Sequence, residues 1–140
     1  MRALAAMVGM AMLTGCATLA PIDKSLPIGR PSKFNSDPAR YDHKAVYIRA
    51  YLATSPHWWQ FFFYERPGQD YDLGCLSFWR NDWLMNNRYQ VNGEYLLVKG
   101  TFLKDATRES VIGNCANGNG FIMDEDFMKK RYGDHYRKQD

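Results

Sequence analysis

The sequence has little net charge of either sign. Its 18 Lys and Arg residues nearly balance its 15 Asp and Glu residues, which leaves a formal net charge of +3 over 140 residues. Proteins that bind nucleic acids usually concentrate positive charge on one face or along one helix. The composition therefore gives no support to nucleic-acid binding, and we expect no nucleic-acid partner.

The sequence also lacks the short motifs that accompany common enzymatic chemistry. It contains no GxSxG elbow, no HExxH pair, no phosphate-binding P-loop and no dinucleotide-binding glycine pattern. Its histidines are scattered, at His43, His57 and His135. The acidic run 124–126 lacks the alternating ligands and the glycine of a calcium loop, and it suits the start of a helix instead. We expect no enzyme activity, no cofactor and no bound metal ion.

The N-terminal hydrophobic segment is too short to cross a membrane. It extends from Ala3 to Thr14, whereas a transmembrane helix requires roughly 20 apolar residues. Met1 and Arg2 precede it as a short positive start. A positive start followed by a short apolar core is the layout of an export signal. The sequence therefore predicts a signal peptide over residues 1–15.

The end of this segment resembles the lipobox of bacterial lipoproteins, through Leu13, Thr14, Gly15 and Cys16. The resemblance implies that Cys16 becomes the N-terminus after cleavage and that its thiol carries a diacylglyceryl group with palmitate-type chains. Two acyl chains suffice for stable anchoring to a membrane, whereas one gives marginal binding. The alternative is an ordinary signal peptide in which Cys16 is incidental.

The residue after Cys16 indicates which membrane holds the protein. In lipoproteins of enteric-type bacteria, an aspartate at this position favours retention in the inner membrane, and this sequence has Ala17. The resemblance therefore implies a lipid-anchored protein of the cell envelope, on the periplasmic face of the outer membrane.

Cysteine is scarce, and its distribution agrees with export. If Cys16 carries lipid, Cys75 and Cys115 remain as an even pair, and in an oxidising compartment such a pair favours a disulfide. A bridge between them would stabilise the fold by constraining the unfolded chain. The alternative, a reactive thiol or a metal-binding pair, lacks a CxxC spacing and a neighbouring histidine.

Proline is concentrated before the predicted domain. Residues 16–43 form a lipidated N-terminus and a proline-rich tether that contains Pro21, Pro27, Pro31 and Pro38. Little hydrophobic periodicity accompanies these prolines, so we expect an extended and poorly ordered spacer. A β-rich domain is predicted over residues 44–133, followed by a charged and frayed tail over residues 134–140.

Alternating hydrophobicity predicts several short strands within the domain. They cover residues 45–54, 58–65, 74–78, 95–103, 110–115 and 121–123. Gly100 interrupts one of them as a bulge or a close backbone approach. Residues 80–86 favour a helical turn, and residues 125–132 favour a helix that Asp124 caps and Gly133 ends.

This pattern predicts a mainly β protein, namely a small barrel or β-roll of five to six strands with one or two short helices. The segment from Tyr95 to Phe102, with its mid-strand Gly100 before an aromatic residue, resembles the late strand of OB-like barrels in bacterial envelope lipoproteins. The resemblance implies that the barrel is a small OB-like barrel. A β-sandwich is the alternative architecture.

Aromatic residues are unusually frequent, at 15% of the chain. In the predicted strand 58–65, one side carries Trp58, Gln60, Phe62 and Tyr64, because successive side chains alternate between faces. If that side is exposed, it forms a stacking platform for peptidoglycan, polysaccharide or an envelope protein. Trp79 and Trp83 would extend the platform if their segment is helical. The alternative is that both faces are buried.

These observations predict a non-catalytic binding or scaffold module of the cell envelope. One alternative is an accessory subunit of an envelope assembly machine. Another is an envelope hydrolase, which would need a cleft of converging acids such as Asp70, Asp72 and Asp82.

Overall fold

The computed structural model describes residues 19–55, 60–68, 73–78, 81–106 and 115–138. Within these residues it contains six strands, which are β1 (Ile28–Gly29), β2 (Ala45–Ser55), β3 (Gln60–Tyr64), β4 (Cys75–Phe78), β5 (Tyr95–Leu103) and β6 (Gly120–Met123). The same residues contain four helices, which are α1 (Pro31–Asn35), α2 (Pro38–Tyr41), α3 (Asp82–Val91) and α4 (Glu125–Tyr132).

Five of these strands close into a barrel. The order around the ring is β2-β3-β4-β6-β5, and β5 pairs with β2 again to complete it. All neighbours are antiparallel except β4 and β6, which are parallel. The prediction of a small OB-like barrel is confirmed. The two-sheet sandwich is set aside, because one continuous ring of hydrogen bonds joins the five strands.

Strand β2 is long because it pairs with both β3 and β5 and thereby closes the barrel. Residues 45–51 pair with β5 and residues 51–55 pair with β3. Val46, Ile48, Ala50 and Leu52 point inward and are almost completely buried, which is the period of two that the sequence showed. Tyr47 points outward and is buried too, because Phe127 of α4 packs against it at 5.5 Å between ring centroids.

Gly100 permits close contact between β5 and β6. A Cβ atom added there would overlap the backbone carbonyl oxygen of Ile122 and lie 2.6 Å from the ring of Phe121. The predicted strand 95–103 and its close backbone approach are both confirmed. Strands 45–54, 74–78 and 121–123 are confirmed within one residue or so at their ends, and strand 58–65 is confirmed over Gln60–Tyr64. The predicted strand 110–115 lies outside the described residues except for Cys115.

Helix α3 is longer than the helical turn predicted for residues 80–86. Asn81 caps it, because its side-chain oxygen accepts a hydrogen bond from Leu84 N at 2.8 Å. Trp83, Leu84, Asn87 and Val91 then form one buried stripe. Helix α4 follows the prediction, with Asp124 accepting from Phe127 N at 3.0 Å and Gly133 ending the helix at a φ of +83°.

The predicted tether is corrected by the structure, because much of it belongs to the domain. Phe34 is 0% exposed and packs against Tyr41 and Phe102 at 4.9 and 6.0 Å between ring centroids. Strand β1 pairs with β2 in parallel. Pro31 and Pro38 do not mark a linker but occupy the first positions of α1 and α2, where the missing N–H of proline is tolerated.

The predicted frayed tail is corrected as well, up to Lys138. Asn87 on α3 is buried, and its side chain donates to Asp134 O at 2.9 Å and accepts from Tyr136 N at 2.6 Å. Lys138 Nζ lies 3.3 Å from a carboxylate oxygen of Glu94. The folded unit therefore includes residues on both sides of the predicted 44–133 boundary. Within the described ranges, no helix combines the length and the apolar character needed to cross a bilayer.

Candidate functional site

The outer surface of the barrel carries a row of aromatic residues across four strands. Tyr95 on β5 lies opposite Tyr51 on β2, Tyr51 lies opposite Tyr64 on β3, and Tyr64 lies opposite Cys75 on β4. Directly paired residues project to the same side of a sheet. We call Tyr95, Tyr51, Tyr64 and the adjacent Phe62 the aromatic face.

Exposure falls steadily along the aromatic face. Tyr95 is 61% exposed, Tyr51 is half-buried, and Tyr64 and Phe62 are 8% and 6% exposed. Tyr95 and Tyr51 meet edge to face at 5.3 Å between ring centroids, while Phe62 and Tyr64 stack at 5.7 Å. The accessible part of the aromatic face is therefore the Tyr51–Tyr95 pair.

A disulfide closes the buried end of the aromatic face. Cys75 and Cys115 are bonded, with their Cα atoms 5.7 Å apart, as the sequence predicted. Both cysteines pack with Phe62 and Tyr64 in one apolar cluster. The bridge thus holds the segment before β6 against β4, and the buried rings lie beside it.

Three asparagines also hold this segment in place through hydrogen bonds. Asn119 donates through its side-chain amide to Asn35 Oδ1 at 2.9 Å, although the two residues are 84 positions apart. Asn35 and Asn117 both donate to the carbonyl oxygen of Cys75, each at 2.8 Å. Buried amides must find partners, because an unsatisfied one is costly. These contacts give the segment a structural role that its glycine-rich sequence did not indicate.

The structure does not assemble the predicted platform as an exposed row. Phe62 and Tyr64 project from the predicted side of β3 but are buried. Trp83 is 1% exposed, and its indole N–H donates to Gly133 O at 2.7 Å. The prediction that Trp83 extends an exposed platform is therefore wrong, because α3 turns it toward the core and α4. Trp58 and Trp79 lie outside the described residues, as does the side chain of Gln60.

The two most accessible residues of the aromatic face, Tyr51 and Tyr95, are not among the ligand contacts that the sequence predicts. The alternation of Tyr51 with buried Ala50 and Leu52 places it outside. Only the pairing of β2 with β5 brings Tyr95 beside it.

The predicted acidic cleft of an envelope hydrolase would need Asp70, Asp72 and Asp82 to converge. Among the described residues, no three His, Cys, Asp or Glu side chains come together as ligands for a metal ion. Asp82 is exposed in the first turn of α3, whereas Asp70 and Asp72 lie outside the described ranges. The serine hydroxyl and backbone N–H of Ser25 lower the pKa of Asp23, and burial raises the pKa of Tyr136.

Comparison with known proteins adds no relative. No family model, no curated protein and no solved structure matches this chain. The fold defines the protein as a small OB-like barrel with an aromatic face on its outer surface.

Proposed function

We propose that this chain is a lipid-anchored protein of the bacterial cell envelope whose OB-like barrel binds a glycan without catalysing a reaction. The lipobox-like segment ending at Cys16 supports the anchor. The disulfide between Cys75 and Cys115 agrees with an oxidising compartment. Both features belong to an exported protein.

The Tyr51–Tyr95 pair is the observation that carries the binding proposal. Barrels of this architecture use an outer face and its adjoining loops to hold oligonucleotides and oligosaccharides. Tyrosine suits such a surface, because its ring offers apolar area for a sugar face and its hydroxyl can hydrogen-bond. The balanced charge of the chain favours a neutral or weakly charged glycan over a nucleic acid. We therefore name peptidoglycan or a polysaccharide of the envelope as the ligand class.

The test of glycan binding is a pulldown of the mature, detergent-solubilised protein on purified peptidoglycan. Tyr95→Ala and Tyr51→Ala should each lower retention severalfold, because each removes half of the accessible pair. Tyr89→Ala is the matched control, since Tyr89 is 77% exposed but lies on α3. Its retention should equal that of the parent.

Equal retention of all three variants would contradict glycan binding at the aromatic face. A protein that co-purifies in fixed stoichiometry, together with no retention on glycan, would favour an accessory subunit of an envelope assembly instead. The anchor has its own test, which is the mass of the N-terminal peptide. A diacylglyceryl group on Cys16 is expected, and Cys16→Ser should abolish lipid labelling and release the chain from the membrane fraction.

A further inference from the structure

A basic cleft lies at the C-terminal end of α4. It has a volume of about 470 Å³, and its walls carry cationic residues from the last turn of the helix and from the segment that follows, Lys129, Lys130, Arg131, Arg137 and Lys138. We call these five residues and the space between them the basic cleft. Leu19, the first described residue, lies in the same wall.

The cleft has a local surplus of positive charge, although Asp134 also lies in its wall. Residues 129–140 contain five Lys and Arg residues against Asp134 and Asp140, a surplus equal to the net charge of +3 for the entire sequence. Cations in the last turn of a helix interact favourably with the helix dipole, which explains the presence of Lys129, Lys130 and Arg131. Arg137 and Lys138 lie beyond the end of α4, so the dipole does not account for them.

Part of the charge is compensated within the protein and part is presented to solvent. Lys129 pairs with Glu125 at 2.7 Å and Lys138 with Glu94 at 3.3 Å. The hydrogen bond from Lys129 to Glu125 raises the pKa of the lysine. Lys130 and Arg137 have exposed side chains, and they give the cleft its outward charge.

The chain enters the folded domain beside this cleft. Arg131 Nη1 donates to the carbonyl oxygen of Ala20 at 3.5 Å, and Ala20 is itself buried. Asp23 N donates to the hydroxyl of Tyr47 at 3.0 Å. These contacts fasten the start of the domain to the surface that α4 covers.

The distance from Cys16 to the cleft is limited by chain length. Leu19 follows Cys16 by three residues, and an extended chain spans at most about 3.5 Å per residue, or roughly 10 Å in all. A lipid on Cys16 lies in the bilayer and the linker cannot lift Leu19 far from it. The basic cleft is then held at the level of the phospholipid head groups.

We propose that the basic cleft docks on the phosphate groups of anionic phospholipids in the membrane that holds the Cys16 lipid. This inference rests on the proposed lipid anchor. Arginine and lysine form strong, charge-assisted hydrogen bonds with phosphate oxygens, and basic residues next to an anionic leaflet are attracted to it over a Debye length. The anchor and the cleft together hold the barrel in one orientation.

The test uses the mature lipoprotein in vesicles of phosphatidylcholine alone or of phosphatidylcholine mixed with phosphatidylglycerol. An amine-reactive reagent labels lysines, and mass spectrometry measures the rate at each one. Lys130 should label severalfold more slowly on the anionic vesicles, and high salt should restore the rate. Lys104 is the internal control, because it lies away from the cleft. Glu94, which pairs with Lys138 of the cleft, directly precedes β5, whereas Lys104 directly follows it.

A matched pair of variants separates the cleft from charge in general. Lys129, in the same wall of the cleft, should also label more slowly on anionic vesicles. Lys130→Gln with Arg137→Gln should return the labelling rate of Lys129 toward its value on neutral vesicles. Lys44→Gln with Lys104→Gln removes the same charge at the other end and should leave Lys129 slow. An unchanged rate at Lys130 on anionic vesicles, or equal slowing at Lys104, would overturn the docking proposal.

The lipid and the docking are read out separately in this experiment. The mass of the N-terminal peptide reports the lipid, whereas the labelling rates report the cleft. A lipidated chain with unprotected Lys130 refutes docking and leaves the anchor intact. A chain without lipid whose Lys130 is still protected on anionic vesicles refutes the anchor and supports docking.

Discussion

At the scale of single residues, Gly100 shows how one missing side chain sets the path of two strands. Strand β5 passes so close to β6 that only hydrogen fits at this position. The sequence indicated this role, because a glycine in the middle of an alternating strand is otherwise unfavourable.

Gly100→Ala should lower the free energy of unfolding by about 1–3 kcal/mol, because the added methyl group meets backbone rather than a movable side chain. Denaturant unfolding measures the change. Gly29→Ala is the control, since its added atom meets the flexible side chain of Lys33 and should cost much less. Equal losses in the two variants would contradict this account of Gly100.

At the scale of elements, the first and last residues of helix α4 could be predicted from the sequence. Asp124 caps its first turn, three cations occupy its last turn, and Gly133 ends it. The sequence did not indicate where α4 packs on the barrel, because its contacts are with residues far away along the chain. The Tyr132 hydroxyl accepts from Leu97 N at 2.9 Å and donates to Leu97 O at 3.1 Å, across 35 residues. Helix α4 therefore packs on the outer side of β2 and β5 at Tyr47 and Leu97, whereas Tyr51 and Tyr95 lie farther along the same two strands.

Asp124→Ala should destabilise the protein by about 1 kcal/mol, because it leaves the N–H of Phe127 without its cap. Asp124 also lies 3.4 Å from Lys99 Nζ. Asp124→Asn retains the cap but loses that ion pair, so thermal unfolding of both variants separates the two effects. If Asn proves as costly as Ala, the ion pair rather than the cap is responsible.

At the scale of the whole molecule, the barrel is completed by residues that precede it. Helices α1 and α2 and strand β1 lie between Leu19 and β2, and Phe34 is among the most buried side chains of the described chain. Ser32 donates to the carboxylate of Glu65 at the end of β3 through both its backbone N–H and its hydroxyl. The segment is therefore part of the core.

Phe34→Ala should cost about 3–5 kcal/mol of unfolding free energy, the usual loss for a buried phenylalanine. Ile22→Ala serves as the control, since its side chain is partly exposed on the same segment, and it should cost far less. Chemical denaturation of the two variants measures the difference. An unchanged free energy of unfolding in the Phe34→Ala variant would favour the interpretation of residues 16–43 as a loose spacer.

The sequence by itself determined the features that a local pattern or a residue count can indicate. Strand periodicity, the Asp124 cap, the close approach at Gly100 and the pairing of Cys75 with Cys115 all follow from local pattern or from cysteine count. The number and spacing of the strands predicted a small barrel or roll, and the resemblance of the segment from Tyr95 to Phe102 supplied the OB-like assignment.

Only the tertiary structure decided which surfaces are covered. Phe62 and Tyr64 alternate as an outward row should, but the disulfide and its segment bury them, and Trp83 turns inward for a partner 50 residues away. Tyr51 and Tyr95 become a pair through strand register, and Leu19 meets the end of α4 through packing. Such contacts join residues far apart in sequence and leave no periodic signal, so burial and the binding surface emerge only when the chain is folded.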